Sequence, residues 1–305
     1  MTDLRHLPVP PRMRPLYPGG PTVSTLSWGM WRMLGDDVRA ARTLVEAALE
    51  AGITLLDTAD IYGYKGDGGF GSAEVLLGRV LAEAPALRER MFLATKGGII
   101  PGTPYDSSPA YLAQAIDASL TRLGVERVEL WQVHRPDILT HPQEVARALD
   151  DAVASGKVGA VGVSNFTVAQ VQALRRFLTV PLASVQPEFS ALQLTPIEEG
   201  LLDDAMQHGA AVLAWSPLGG GRLLNPGTER EAAVAAALDE VAVAQGVSRS
   251  VAATSWVMAH PAGAIPSVGT QQAARIAESV EAYRVRWTRA EWYRVLVASR
   301  GVRLP

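Results

Sequence analysis

From residue 23 onward, short apolar runs alternate with longer stretches whose apolar positions recur at helical spacing. The short runs lie at 23–28, 53–57, 91–96, 128–134, 158–164, 183–187, 211–216 and 263–268. Their length and the turn residues around them predict eight strands. Between them the period changes. Residues 37–51 place Val38, Ala41, Leu44, Val45, Ala48 and Leu49 on one face, as an amphipathic helix requires. Ser108 before Pro109 predicts a helix start with proline at its first position. Thr167 can cap a helix running through Phe177. Further helical patterns lie near 72–84, 142–155, 198–208, 248–260 and 271–283. Two more, near 230–245 and 289–298, are extra, and the last opens with Thr288 and Glu291 at capping-box spacing.

Alternation of strand and helix predicts a parallel sheet with helical crossovers. Eight such units in 305 residues match the size of a closed (β/α)8 TIM barrel, here with extra helices in the C-terminal part. A doubly wound open sheet gives the same alternation and stands as the second reading. No linker-like or low-complexity stretch breaks the chain, so residues 1–305 read as a single α/β barrel domain.

Composition narrows the function classes. Hydrophobic residues make up 48% and charged residues 19%, which supports a sizeable core and not a disordered chain. The net charge is -3 and no Lys/Arg-rich run stands out. The electrostatic footprint of a nucleic-acid binder is missing, as is a basic membrane-binding helix. There are no cysteines, which rules out disulfides and thiol chemistry and fits a reducing compartment. The N-terminal segment carries too many prolines and charges for a signal peptide, and no apolar run reaches the ~18 residues of a membrane span. The expectation is a cytoplasmic protein acting on a small molecule, without nucleic acid or membrane. Its oligomeric state is left open.

Four polar residues fall where barrel chemistry falls, at or just past strand ends. Asp57 ends the second strand in LLDTADIYG, with Tyr62 in the loop behind it; Lys96 ends the third in FLATKGG; His134 ends the fourth in LWQVHRP. A free tyrosine, with a pKa near ~10, is a poor proton donor at neutral pH, and a nearby ammonium lowers that value. Lys96 can supply the ammonium, Asp57 can hold it, and His134 can orient a carbonyl oxygen. Such a cluster suits the conversion of C=O to an alcohol. Taken singly, Asp57 and Lys96 read as a structural ion pair, Tyr62 as a loop aromatic and His134 as a satisfied strand-end histidine. Their joint placement favours chemistry.

Other motifs carry less. Gly66, Gly68 and Gly71 fit G-x-G-x-x-G, but Tyr62 and its neighbours separate them from the strand that a dinucleotide fingerprint must follow directly. No H-E-x-x-H pair or similar marks a metal site, so no metal ligands are expected. No G-x-S-x-G elbow marks a serine hydrolase.

The series LLDTADIYG, ATKGG, QVHRP and VGVSNF resembles the aldo-keto reductases from about Thr22 to Val280. Through VSNFT, QPEFS and AWSPLGGGRL the likeness is greatest to the bacterial YdhF-like oxidoreductases. The resemblance implies an Asp–Tyr–Lys–His tetrad at Asp57, Tyr62, Lys96 and His134, and an NADP(H)-dependent reduction of an aldehyde or ketone. It implies nicotinamide contacts from Ser164, Asn165 and Gln186, with Trp215 stacking on the ring. Gly29, Met30 and Trp31 match the loop bordering the nicotinamide ribose and the substrate, with Trp31, Tyr62 and His134 facing the substrate. The glycine-rich loop Ser216–Arg222, including Leu218, Gly219, Gly221 and Arg222, suits a pyrophosphate, because backbone N–H groups can approach it closely. Gly269, Thr270, Gln272, Arg275, Glu278 and Ser279 fall at positions for the adenosine end. Relatives carry an early Lys or Arg in this segment, where this chain has Gly269, Gln271 and Gln272. Arg275 is thus the main charge for a 2′-phosphate, and NAD(H) use is not excluded. The loop between Tyr62 and Gly71 is longer than in relatives and is expected to shape substrate choice. A cofactor-bound regulatory protein on the same barrel is the alternative function.

Overall fold

The computed structural model describes residues 6–64 and 68–304. A short antiparallel hairpin, β1 (Met13–Pro15) with β2 (Thr22–Ser24), comes first. Eight parallel strands follow: β3 (Ser27–Gly29), β4 (Leu55–Asp57), β5 (Phe92–Gly97), β6 (Val128–Val133), β7 (Val158–Ser164), β8 (Leu182–Gln186), β9 (Ala211–Ala214) and β10 (Ile265–Val268). They pair in chain order and β10 closes onto β3, so the barrel is formed and the open-sheet reading is excluded. Residues 23–28, expected as one strand, are two. The Ser24 hydroxyl donates to the Leu26 carbonyl at 2.6 Å and accepts from the Thr54 and Leu55 N–H groups. That side chain turns the backbone, and only Ser27–Gly29 enters the barrel.

Alternation fills the barrel interior. Leu55, Phe92, Ala94, Leu130, Ala160, Ala211, Leu213 and Ile265 pack inside it, joined by Leu16 and Val23 of the hairpin. Two residues further along the same strand faces stand Asp57 after Leu55, Lys96 after Ala94, and Gln132 after Leu130. The period that buries the core therefore aims these polar groups at the C-terminal mouth.

Eleven α-helices are formed by the described residues: α1 (Val38–Glu50), α2 (Ser72–Glu83), α3 (Pro109–Leu123), α4 (Pro142–Ala154), α5 (Val168–Arg175), α6 (Thr195–Glu198), α7 (Leu201–His208), α8 (Glu229–Gln245), α9 (Arg249–Met258), α10 (Ala273–Ser279) and α11 (Arg289–Arg300). Ser108 caps α3 with Pro109 at its first position, and Thr167 and Thr288 form capping boxes with Gln170 and Glu291. The pattern near 198–208 is split into α6 and α7 at Gly200, whose φ of 77° is left-handed. The pattern near 271–283 ends its α-helix at Ser279 and continues as a 3-10 turn, Val280–Arg284. The extra helices α8 and α11 pack on each other. Among the described residues, no helix is long and apolar enough to cross a membrane.

Candidate active site

Three adjacent strands and one loop bring the predicted tetrad together. Asp57 is the last residue of β4, Lys96 lies near the end of β5, and His134 follows β6 directly. Lys96 Nζ donates to Asp57 Oδ2 and to the Thr58 carbonyl, each at 2.7 Å. Gln186 Nε2, from the end of β8, donates to the same Asp57 oxygen at 3.2 Å. The ion pair is fully buried, so each partner depends on the other and on these hydrogen bonds. Tyr62 stands half-buried above it, with Lys96 Nζ 4.8 Å from its ring centroid. His134 meets the Tyr62 ring edge-on at 5.7 Å, and Trp31 meets it from another side at 5.2 Å.

Burial is the largest influence on Tyr62 and raises its pKa; the Lys96 ammonium opposes this without overcoming it. The ammonium therefore does not bring the phenol below its ordinary range, as the sequence suggested, and the proton stays on. Burial works against the charge on Lys96, but Asp57 and Tyr62 outweigh it and hold the ammonium above its usual range. Burial, then the charges of Lys96 and Arg135, push His134 well below the ordinary imidazole range, so the ring is neutral at pH 7. Asp57 Oδ1 and His134 Nδ1 are buried without a hydrogen-bond partner.

A cavity of about 1040 Å³ opens over the strand ends and runs from Tyr62 and His134 to Arg275 and Ser279. Every expected cofactor residue lines it except Met30, Gly219 and Arg222. Met30 is fully buried in the core, and its N–H is held by the Asp57 carbonyl. Gly219 is packed on Leu192: a Cβ there would lie 2.8 Å from the Leu192 side chain. Arg222 turns back, donating through Nε to the Gly219 carbonyl at 2.8 Å and pairing with Glu231 at 3.4 Å. Its charge is thus partly satisfied away from the cavity. Of the extended loop after Tyr62, residues 65–67, including Gly66 of the glycine motif, lie outside the described residues.

The cavity wall fits a nicotinamide dinucleotide. Ser164, Asn165, Gln186 and Trp215 form one network: Asn165 Nδ2 donates to Ser164 Oγ at 2.8 Å, Ser164 Oγ to the Gln186 carbonyl at 2.9 Å, and Trp215 Nε1 to Asn165 Oδ1 at 3.0 Å. A hydrogen on Gln186 Nε2 and a lone pair on Asn165 Oδ1 stay available, a donor and an acceptor as a carboxamide needs. Asn165 and Ser216 are the only non-glycine residues with positive φ among the described residues, and both face this cavity. Strain of this kind collects where the backbone is shaped for a ligand. Gly220 and Gly221 present open backbone to the cavity.

Sequence reading missed Arg32, Arg135 and the N-terminus of α9, where Ser248, Arg249, Ser250 and Val251 line the same wall. A helix N-terminus is a suitable anion site, and Arg249 there is already paired with Asp239. Segment 248–260 carried only an amphipathic signal, and nothing in it marked one end as facing a cavity.

A barrel mouth with a buried Lys–Asp pair, a protonated tyrosine and a neutral histidine can hold and protonate a carbonyl oxygen. The aldo/keto reductase family model matches residues 25–296, and the chain belongs to that family. It is 62% identical over 304 residues to a 6-dehydroglucose reductase of Novosphingobium aromaticivorans, covering 99% of this chain and 100% of the relative. It is 34% identical to the oxidoreductase YdhF of Escherichia coli, covering 95% and 98%. The solved glycerol dehydrogenase of Gluconobacter oxydans superposes with a TM-score of 0.80 at 28% identity, covering 100% of this chain and 98% of that one.

Proposed function

We propose that this chain is an NADP(H)-dependent reductase of aldehydes, with 6-dehydroglucose, glucose oxidised to the aldehyde at carbon 6, as its candidate substrate. The observation that carries the chemistry is the convergence of Asp57, Lys96, Tyr62 and His134 on one end of a dinucleotide-sized cavity. The substrate follows the relative with which nearly the whole chain aligns.

A bound nicotinamide cofactor supplies the hydride that reduces the carbonyl carbon. Tyr62, which keeps its proton, donates to the carbonyl oxygen and gives that proton up as the oxygen becomes an alcohol. The Lys96 ammonium stabilises the phenolate left behind, and Asp57 keeps the ammonium charged and in place. Neutral His134 can offer the carbonyl oxygen a second hydrogen bond without competing for the proton. Trp31, edge-on to Tyr62, walls the substrate side. Ser164, Asn165, Gln186 and Trp215 would hold the nicotinamide, with Gly220, Gly221 and the α9 N-terminus available to the phosphates. NADP(H) is preferred because Arg275 is free for a 2′-phosphate.

The test follows consumption of NADPH with 6-dehydroglucose, in wild type and Tyr62→Phe, with NADH as the control. Wild-type turnover should fall by at least about a hundredfold in the variant, the scale of a general-acid contribution. The NADPH dissociation constant should change little. Loss of cofactor binding in proportion to activity would contradict the role of Tyr62. Tight NADPH binding without turnover of any carbonyl would favour the regulatory alternative.

A further inference from the structure

The sequence LWQVHRP puts an arginine directly after the active-site histidine. Arg135 is half-buried and lines the cavity beside Tyr62 and His134. It makes no side-chain hydrogen bond or ion pair among the described residues, as is also true of Arg275 at the other end of the cavity, whereas the remaining two arginines are engaged. Arg249 is bound to Asp239, and Arg32 donates to the Gly269 carbonyl. Asp137, two residues on in sequence, is engaged elsewhere: it accepts from the N–H groups of Ser107 and Leu139 and from the Thr140 hydroxyl. A half-buried guanidinium with five unused donors beside a reaction centre needs a partner.

Barrel topology says which ligand that partner belongs to. Arg135 follows β6, the fourth barrel strand; Arg275 follows β10, the eighth. In a closed ring of eight these strands are diametrically opposite. A dinucleotide with its adenosine end along Gly269–Ser279 therefore has that end across the ring from Arg135, which is left beside the reaction centre, where the substrate extends away from its carbonyl. Arg135 is also not surrounded by cations alone. The half-buried Glu188 lies within electrostatic reach of it, though not in ion-pair contact. Glu188 does not line the cavity, so it is the guanidinium that meets a ligand there, and its N–H groups suit hydroxyl oxygens as acceptors.

We propose that Arg135 is a specificity-determining residue, whose guanidinium binds hydroxyls of a polyhydroxylated aldehyde held with its carbonyl at Tyr62 and His134. The proposal rests on the reductase reading above. The planar fork of the guanidinium can donate to two neighbouring hydroxyls at once, which a lysine ammonium does not reproduce. The positive charge is also felt at Tyr62 and His134, after burial and Lys96, so a substitution has to be tested for an effect on the chemistry itself.

The experiment compares kcat/KM for 6-dehydroglucose, glyceraldehyde, propanal and glyceraldehyde 3-phosphate in wild type, Arg135→Met and Arg135→Lys, with NADPH affinity measured for each. In Arg135→Met the preference for 6-dehydroglucose over propanal should fall about ten- to hundredfold, the range for losing hydrogen bonds to a charged donor. The loss should appear mainly in KM, and Arg135→Lys should restore only part of it. A preference within about twofold of wild type, on the scale of a few tenths of a kcal/mol, overturns the proposal. So does full restoration by lysine, which would make Arg135 a source of charge only. A matching loss of NADPH affinity would assign it to the cofactor. Wild-type preference for glyceraldehyde 3-phosphate over glyceraldehyde would assign it to an anion. Wild type that reduces none of the four removes the reductase reading, and this proposal with it; wild type that reduces them with no change in Arg135→Met removes only this one.

Discussion

At the scale of single residues the site works by holding protons on some groups and off others. In the proposed reaction Tyr62 is the donor, and burial keeps its pKa above the ordinary 10.0 despite the ammonium of Lys96. His134 is the neutral companion, held well below 6.5. Together these directions fix the pH dependence of reduction. The active form has Tyr62 protonated, so the rate should stay level through neutral pH and fall only as pH rises through the raised tyrosine value, above about 10. Alcohol oxidation needs the phenolate and should rise over the same range. His134 should add no acidic limb between about pH 6 and 7, since it is already neutral there. A reduction rate that halves near pH 6.5 on acidification would show that His134 titrates in its ordinary range and is not held neutral. The convergence of these four was legible in the sequence because Asp57, Lys96 and His134 fall at or near the ends of adjacent strands, within motifs that resemble the family's. The direction of the tyrosine shift was not, because it depends on how much water the folded site excludes.

At the scale of elements, one glycine carries much of the geometry that the site needs. Gly162 on β7 sits where the β7–β8 register shifts. A Cβ there would lie 2.1 Å from Ser184 Oγ, 3.0 Å from the Ser184 carbonyl and 3.1 Å from the Gln132 side chain. Ser184 is held to Gln132 Oε1 at 3.0 Å, and two residues on along β8 Gln186 reaches Asp57. Gly162→Ala should therefore push β8 outward, cost about 1–3 kcal/mol as an overpacking substitution, and reduce turnover by disturbing the Gln186–Asp57 contact. Urea unfolding with the activity assay checks both. Stability within about 0.5 kcal/mol of wild type would mean that the strand pair absorbs a methyl group freely. Helix starts were readable from Ser108, Thr167 and Thr288, since a cap is a local event. The break at Ser24 was not, because its hydroxyl is engaged by Thr54 and Leu55, thirty residues away.

At the scale of the whole molecule the barrel brings together segments from both halves of the chain, and the cavity between them exists only when it is closed. This is why the late segments Ser216–Arg222, Gly219 and Arg222 apart, and Gly269–Ser279 were readable as cavity-facing by resemblance, whereas Arg135 and the start of α9 needed the closed ring to show where they point. The arrangement also gives the cofactor a thermodynamic signature. A ligand that binds only the folded barrel stabilises it by about 2.7 kcal/mol at a hundred times its dissociation constant, which for a chain of this size is a melting shift of roughly 4 °C. NADPH should produce a larger shift than NADH at equal concentration, because the two differ by the 2′-phosphate. Arg275, exposed on α10 without an ion-pair partner among the described residues, is placed to meet that phosphate. Of the other arginines on that wall, Arg32 already donates to the Gly269 carbonyl and Arg249 is paired with Asp239. Arg275→Ala should then bring the NADPH response down to the NADH response while leaving the NADH response in place. Thermal unfolding of both proteins with each cofactor decides the matter. Equal loss of both responses would place Arg275 in the shared part of the dinucleotide site, and an undiminished NADPH advantage would move the 2′-phosphate to another donor on the same wall.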